Sequence, residues 1–139
     1  MRVVLDTNTL VSGLVTGTSP PSQIMILWST QTIDLYVSTR ILEGAARALQ
    51  KPYWCRRLDI VELEQRLSFF RFNTNPVTPV ANVRGVAEDE EDDLVLATAV
   101  AAAADHLVTG DKYLLRIGEF RGTRIVSPRD LLDLLLELS

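Results

Sequence analysis

Short, continuously apolar runs alternate along this chain with longer segments in which apolar residues recur every three or four positions. The run RVVLD (2–6) reads as a buried strand that ends on an acid, and DLYVS (34–38) as a second strand. Between them, PPSQIMILWSTQ (20–31) follows a Thr/Ser/Pro loop and opens on prolines that a helix tolerates in its first turn. In TRILEGAARALQ (39–50), Ile41, Ala45 and Leu49 share one helical face, and Lys51–Pro52 ends the element. The segment 60–72 mixes charge and apolar residues at helical spacing, whereas 73–85 reads as loop with one short strand. DDLVLATAVAAAAD (92–105) is apolar nearly all round and predicts a central, buried helix. HLVTG (106–110) and RIVS (124–127) predict further strands, and 127–138 a last helix with Ser127 as N-cap, Pro128 first inside it and Asp130 three residues after the cap. Apolar strands alternating with helices predict an α/β fold, a parallel sheet covered on both faces.

The 139 residues suit one domain over 1–139, and 47% hydrophobic content supports a sizeable core. One cysteine, Cys55, allows no internal disulfide, which fits a reducing, cytoplasmic setting. No apolar stretch reaches the roughly 18–20 residues of a membrane span, and the first residues lack the long apolar run of a secretory signal. Charge is unevenly placed. The net value of −4 depends on six acids in a row at 88–93, EDEEDD; the other 12 Asp and Glu are outnumbered by 14 Lys and Arg. Arg40, Arg47, Lys51, Arg56, Arg57, Arg66 and Arg71 cluster in one region that also holds Tyr53 and Trp54. An acidic site beside a basic, aromatic-bearing surface suits an enzyme that grips a polyanion. Solvated helix sides explain the same arginines without any partner.

Ligands of open parallel sheets bind beyond the carboxyl ends of the strands. Asp6 directly follows the first strand, and Asp111 follows HLVTG. The acidic run leads into the buried helix at the end where its dipole favours negative charge. Glu43 lies early in the helix after the second strand. Taken singly, each acid reads as a cap, a turn residue or an exposed helix position. Together they deliver carboxylates from four segments to one edge, where mutual repulsion raises their pKa values. A hard cation such as Mg²⁺ or Mn²⁺ relieves that conflict, activates water and stabilises a leaving oxygen. No competing chemistry stands out: His106 opens a strand away from this edge, Cys55 has no histidine partner, and no P-loop is present.

VVLDTNTLVSG (3–13), DDLVLATA (92–99) and LVTGDKYLL (107–115), in this order and spacing, resemble the PIN domain family. Within it they are most similar to the VapC-like branch, the toxins of toxin–antitoxin pairs. The resemblance runs over essentially the whole chain. It implies a three-layer α/β/α sandwich with a mainly parallel sheet, and Mg²⁺- or Mn²⁺-dependent cleavage of RNA. It also implies an antitoxin partner and frequent homodimers. Carried over by position, its acids fall on Asp6, Asp92 and Asp111, with Asn8, Thr109, Asp89 and Asp93 as supporting neighbours. The remaining acid is displaced. Six residues beyond Ser38 the pattern meets Gly44, and Glu43 stands one place early. Either Glu43 reaches the metal or the site has three acids; the first is the expectation taken forward. Arg40, Arg47, Lys51, Arg56 and Arg57 are assigned to the RNA backbone. The alternative function is a degenerate, non-catalytic module that binds RNA or a partner protein. A phosphate-accepting signalling domain fits less well, because its acceptor aspartate belongs at a central strand end.

Overall fold

The structure is a computed structural model that describes residues 1–138. The chain runs β1 (Arg2–Leu5), α1 (Thr7–Val15), α2 (Pro20–Ser29), β2 (Asp34–Val37), α3 (Thr39–Leu49), α4 (Pro52–Cys55), α5 (Ile60–Asn73) and β3 (Asn75–Pro76). It continues through α6 (Glu90–Ala101), β4 (His106–Val108), α7 (Lys112–Ile117), β5 (Glu119–Phe120), β6 (Thr123–Val126) and α8 (Pro128–Leu138). The strands form one sheet in the order β3-β2-β1-β4-β6-β5, parallel except for β5. Helices cover both faces, giving a three-layer α/β/α sandwich. Among the described residues no helix is long and apolar enough to cross a membrane.

Burial explains why the strands read as unbroken apolar runs. Val3 and Val4 of β1 pair with Leu35 on one side and Leu107 on the other, and all four side chains are essentially inaccessible. The central strands β1 and β4 are shielded on both faces, so neither face needs polar residues there. Ile41, Ala45 and Leu49 form the buried side of α3, as their spacing predicts. The apolar α6 is indeed central: it packs on β1 and β4 with Val95, Leu96, Ala97 and Ala99 buried. Ser127 accepts from the Asp130 amide at 3.1 Å and caps α8.

The periodicity did not reveal α1, α4, α7 or β5. Helix α1 reads TNTLVSGLV, rich in β-branched residues and glycine, a poor helix on propensity. Packing decides the matter: Leu10, Val11, Leu14 and Val15 are buried, and Asp6 caps the first turn. Pro52 ends the run after α3 and also opens α4. The central helix begins two residues earlier than its apolar pattern suggests, because Asp89 is its cap, and ends at Ala101. His106 is buried at the start of β4, the edge of the sheet opposite the acids, and its Nδ1 has no hydrogen-bond partner among the described residues. Burial, above all, holds its pKa below the ordinary histidine value.

Candidate metal and nucleic-acid cleft

The chain proceeds from β1 outward to β2 and β3, then returns to the other side of β1 for β4, β5 and β6, with β6 lying next to β4. The strand order therefore reverses between β1 and β4, and the crevice beyond their carboxyl ends is where such sheets bind ligands. Asp6 stands there. Its backbone N–H donates to the Val108 carbonyl at 3.1 Å, continuing the β1–β4 ladder by one bond. One carboxylate oxygen accepts from the Thr9 amide at 2.8 Å, capping α1. The other accepts from the fully buried Thr109 hydroxyl in a short contact. That same Thr109 oxygen accepts from the Asp111 amide at 3.0 Å, and Asp111 caps α7 through the Leu114 amide at 2.9 Å. Capping and site-building are thus one arrangement. Helices α1 and α7 each start at an aspartate on the same edge, so their N-termini surround the crevice with positive potential.

The third wall is the start of α6. Asp89 caps it by accepting from the Asp92 amide at 2.8 Å. Asp92, half-buried, has its pKa pushed up to about 6, first by burial and then by the negative charges of Asp89, Asp111, Asp6 and Glu91. Four carboxylates, from three segments of the chain, are felt at one side chain. Asp93 faces elsewhere. It is buried, and its two oxygens accept from the backbone amides of Gly85, Val86 and Ala87 at 2.7–3.1 Å, pinning the loop before α6. Gly85 takes a positive φ of 68° in that loop, a conformation that favours glycine.

A cleft of about 320 Å³ opens between the Asp6 side and the start of α6. Asp6, Thr7 and Asn8 line it from α1, Glu91, Asp92 and Val95 from α6, and Gly44, Arg47, Ala48 and Lys51 from α3 and the residues after it. Of the sequence-predicted residues, the structure therefore gathers Asp6, Asn8 and Asp92 in the cleft, with Asp111, Thr109 and Asp89 tied to them by hydrogen bonds or charge. It does not bring Glu43. Ser38, buried, caps α3 and accepts from the Thr98 hydroxyl of α6 at 3.1 Å, which fixes where the helix begins. With that start, a turn of about 100° per residue aims Gly44 at the cleft and Glu43 outward, where it is exposed. Of the basic residues, Arg47 and Lys51 reach the cleft, Arg40 lines a neighbouring hollow with Arg84, and Arg56 and Arg57 lie outside both. Arg57 stacks on the exposed Tyr53 ring at 4.3 Å. Thr7 was not singled out from sequence, although it lies within LDTN itself.

Among the described residues, no three His, Cys, Asp or Glu side chains are already gathered as a metal cage. The donors nevertheless fit a hard cation. They are all oxygens, and their mutual repulsion at Asp92 is what a divalent ion removes. Mg²⁺ typically takes only one or two carboxylates and keeps several waters, so a loose set of acids in a wet cleft suits it.

A family model described as PIN domain matches residues 2–113. Among solved structures, one chain of the crystal structure of VapBC2 from Rickettsia felis bound to a DNA fragment from their promoter is similar, with a TM-score of 0.62. The match covers 90% of this chain and 97% of that one at 17% identity, a likeness of fold. No curated protein matches the sequence.

Proposed function

The chain belongs to the PIN domain family, and from that premise we propose that it is a divalent-metal-dependent endoribonuclease, the VapC-like toxin of a type II toxin–antitoxin pair. The observation that carries this reading is the charge conflict at Asp92, whose carboxyl feels Asp6, Asp89, Glu91 and Asp111 together. Asp6, Asp92 and Asp111 hold Mg²⁺ or Mn²⁺, the three-acid form that the sequence left open. When bound, the ion lowers the pKa of a water and neutralises charge on the departing oxygen. The chain's own residues do the rest. Thr109 and the Thr9 amide fix the Asp6 carboxylate, while Asp89 holds the first turn of α6 so that Asp92 faces the cleft. Asn8 offers a neutral donor and acceptor beside the acids, and Asp93 acts indirectly by bracing the loop before α6. Arg40, Arg47, Lys51, Arg56 and Arg57 contact the RNA backbone.

The fold shared with a chain of the VapBC2 complex supports pairing with an antitoxin; a homodimer in a bacterial cytoplasm belongs to the same proposal. The test is cleavage of mixed single-stranded and structured RNAs with Mn²⁺, beside an Asp6→Asn, Asp92→Asn double variant. Expected is a loss of at least about a hundredfold in the variant; equal cleavage by both proteins means contamination and sinks the reading. The second reading, a non-catalytic binding module, is motivated by Gly44 at the place of an acid. Calorimetry that detects no Mn²⁺ binding at millimolar metal favours it.

A further inference from the structure

The side of the cleft built by α3 carries the opposite charge from the rest. Gly44, Arg47, Ala48 and Lys51 stand at i, i+3, i+4 and i+7, the spacing of one helical flank, and all four line the cleft facing Asp6 and Asp92. A carboxylate at position 44 would have continued the acidic wall. A Cβ there meets the Thr7 side chain at 3.4–3.5 Å, ordinary contact, so packing does not forbid a larger residue. The next nearest atom is Nη2 of Arg47, 3.9 Å from that Cβ position. The guanidinium borders the space that a side chain at 44 would occupy.

Among the described residues the only ion pair joins Arg66 to Glu62. Arg47 and Lys51 therefore share a cleft with carboxylates without being neutralised by them. A phosphodiester approaching an acidic wall is repelled unless cations meet its free oxygens, and a guanidinium fork meets two of them at once. Resting on the nuclease reading, we propose that Arg47 replaces the carboxylate that Gly44 omits, its guanidinium and the Lys51 ammonium gripping the non-bridging oxygens of the phosphodiester to be cut. The cleft is then divided: the metal belongs to the Asp6, Asp92 and Asp111 side, and the phosphate to the α3 side. Gly44 leaves room for the substrate rather than marking decay of the site.

The experiment is fluorescence anisotropy with a fluorescein-labelled single-stranded RNA oligonucleotide, in EDTA, across a salt series. Arg47→Ala is expected to weaken binding about tenfold and to lower the salt slope by about 0.7, the value for one lost phosphate contact on a single strand. Arg47→Lys, which keeps the charge and loses the fork, falls between. Unchanged affinity and slope in Arg47→Ala overturn the proposal. Gly44→Glu supplies an independent arm, because the new carboxylate pairs with Arg47. It is expected to tighten Mn²⁺ binding in calorimetry while weakening RNA binding; RNA binding unaffected by Gly44→Glu counts against the grip. These measurements need no turnover. Metal-free binding that depends on Arg47 in a protein that cleaves nothing refutes the nuclease reading alone. Cleavage whose KM ignores Arg47→Ala refutes the phosphate grip alone.

Discussion

Asp92 and Asp93 are neighbours of the same type with opposite duties, and the difference is set by one helical step. Asp92 keeps its proton to about pH 6, against an ordinary value of 3.8, because burial and then four carboxylates disfavour its charge. Between those two pH values the folded chain binds more proton than the unfolded chain, so metal-free stability falls as pH rises through this window. Asp92→Asn removes the effect. In EDTA its melting temperature should exceed the parent's little at pH 4 and clearly at pH 7; an advantage that does not grow with pH would remove the electrostatic account. Mn²⁺ affinity should likewise fall as pH drops through about 6, since the proton competes with the ion. Asp93, by contrast, is satisfied as an anion by three backbone amides. Asp93→Asn turns a donor toward those donors and should cost about 1–3 kcal/mol in urea unfolding. Glu90→Gln, at an exposed position of the same run, should stay within about 0.5 kcal/mol. Nothing in EDEEDD alone distinguishes these three residues. Their roles depend on where α6 starts, and that is decided by the Asp89 side chain.

Elements whose apolar residues follow a clear period were legible in the sequence, and those held by tertiary contact were not. The β1, β2, β4 and β6 runs and the flank Ile41, Ala45, Leu49 needed only their own pattern. Helix α1 carries its pattern, Leu10, Val11, Leu14 and Val15, over barely two turns of weak helix formers, and α2 and α3 pack on it. Gly13 permits that packing: a Cβ there would stand 2.8 Å from Met25 Cγ and 3.1 Å from the Pro21 carbonyl oxygen. Gly13→Ala gains helix propensity of about 1 kcal/mol but presses on backbone that has little freedom to retreat. Overpacking of this kind costs about 1–3 kcal/mol, so the variant should be less stable than the parent in denaturant titration. A stabilised variant would mean that α1 and α2 separate easily. The same dependence on context hid the outcome at Glu43. Counting along the chain exposed a one-residue mismatch; the Ser38–Thr98 contact, 60 residues apart, settles which residue faces the cleft.

At the scale of the molecule, the order of strands explains why acids remote in sequence meet. Asp6 and Asp111 belong to the two strands flanking the point where the sheet reverses direction, and Thr109 bridges them by accepting from one segment and donating to the other. That convergence was readable in outline, since each acid directly follows an apolar strand. The basic wall opposite was not, because seven cations in one region give no hint that two of them turn inward. The β1–β4 pairing spans about a hundred residues of chain. During synthesis, β1 emerges long before its partner, and until β4 arrives Asp6 has neither the Thr109 hydroxyl nor the Val108 carbonyl to orient it. The cleft is thus a late event in the life of each molecule. A ribosome whose chain has not yet reached β4 holds the first acid already made, with the Thr109 hydroxyl and the Val108 carbonyl that orient it still to come.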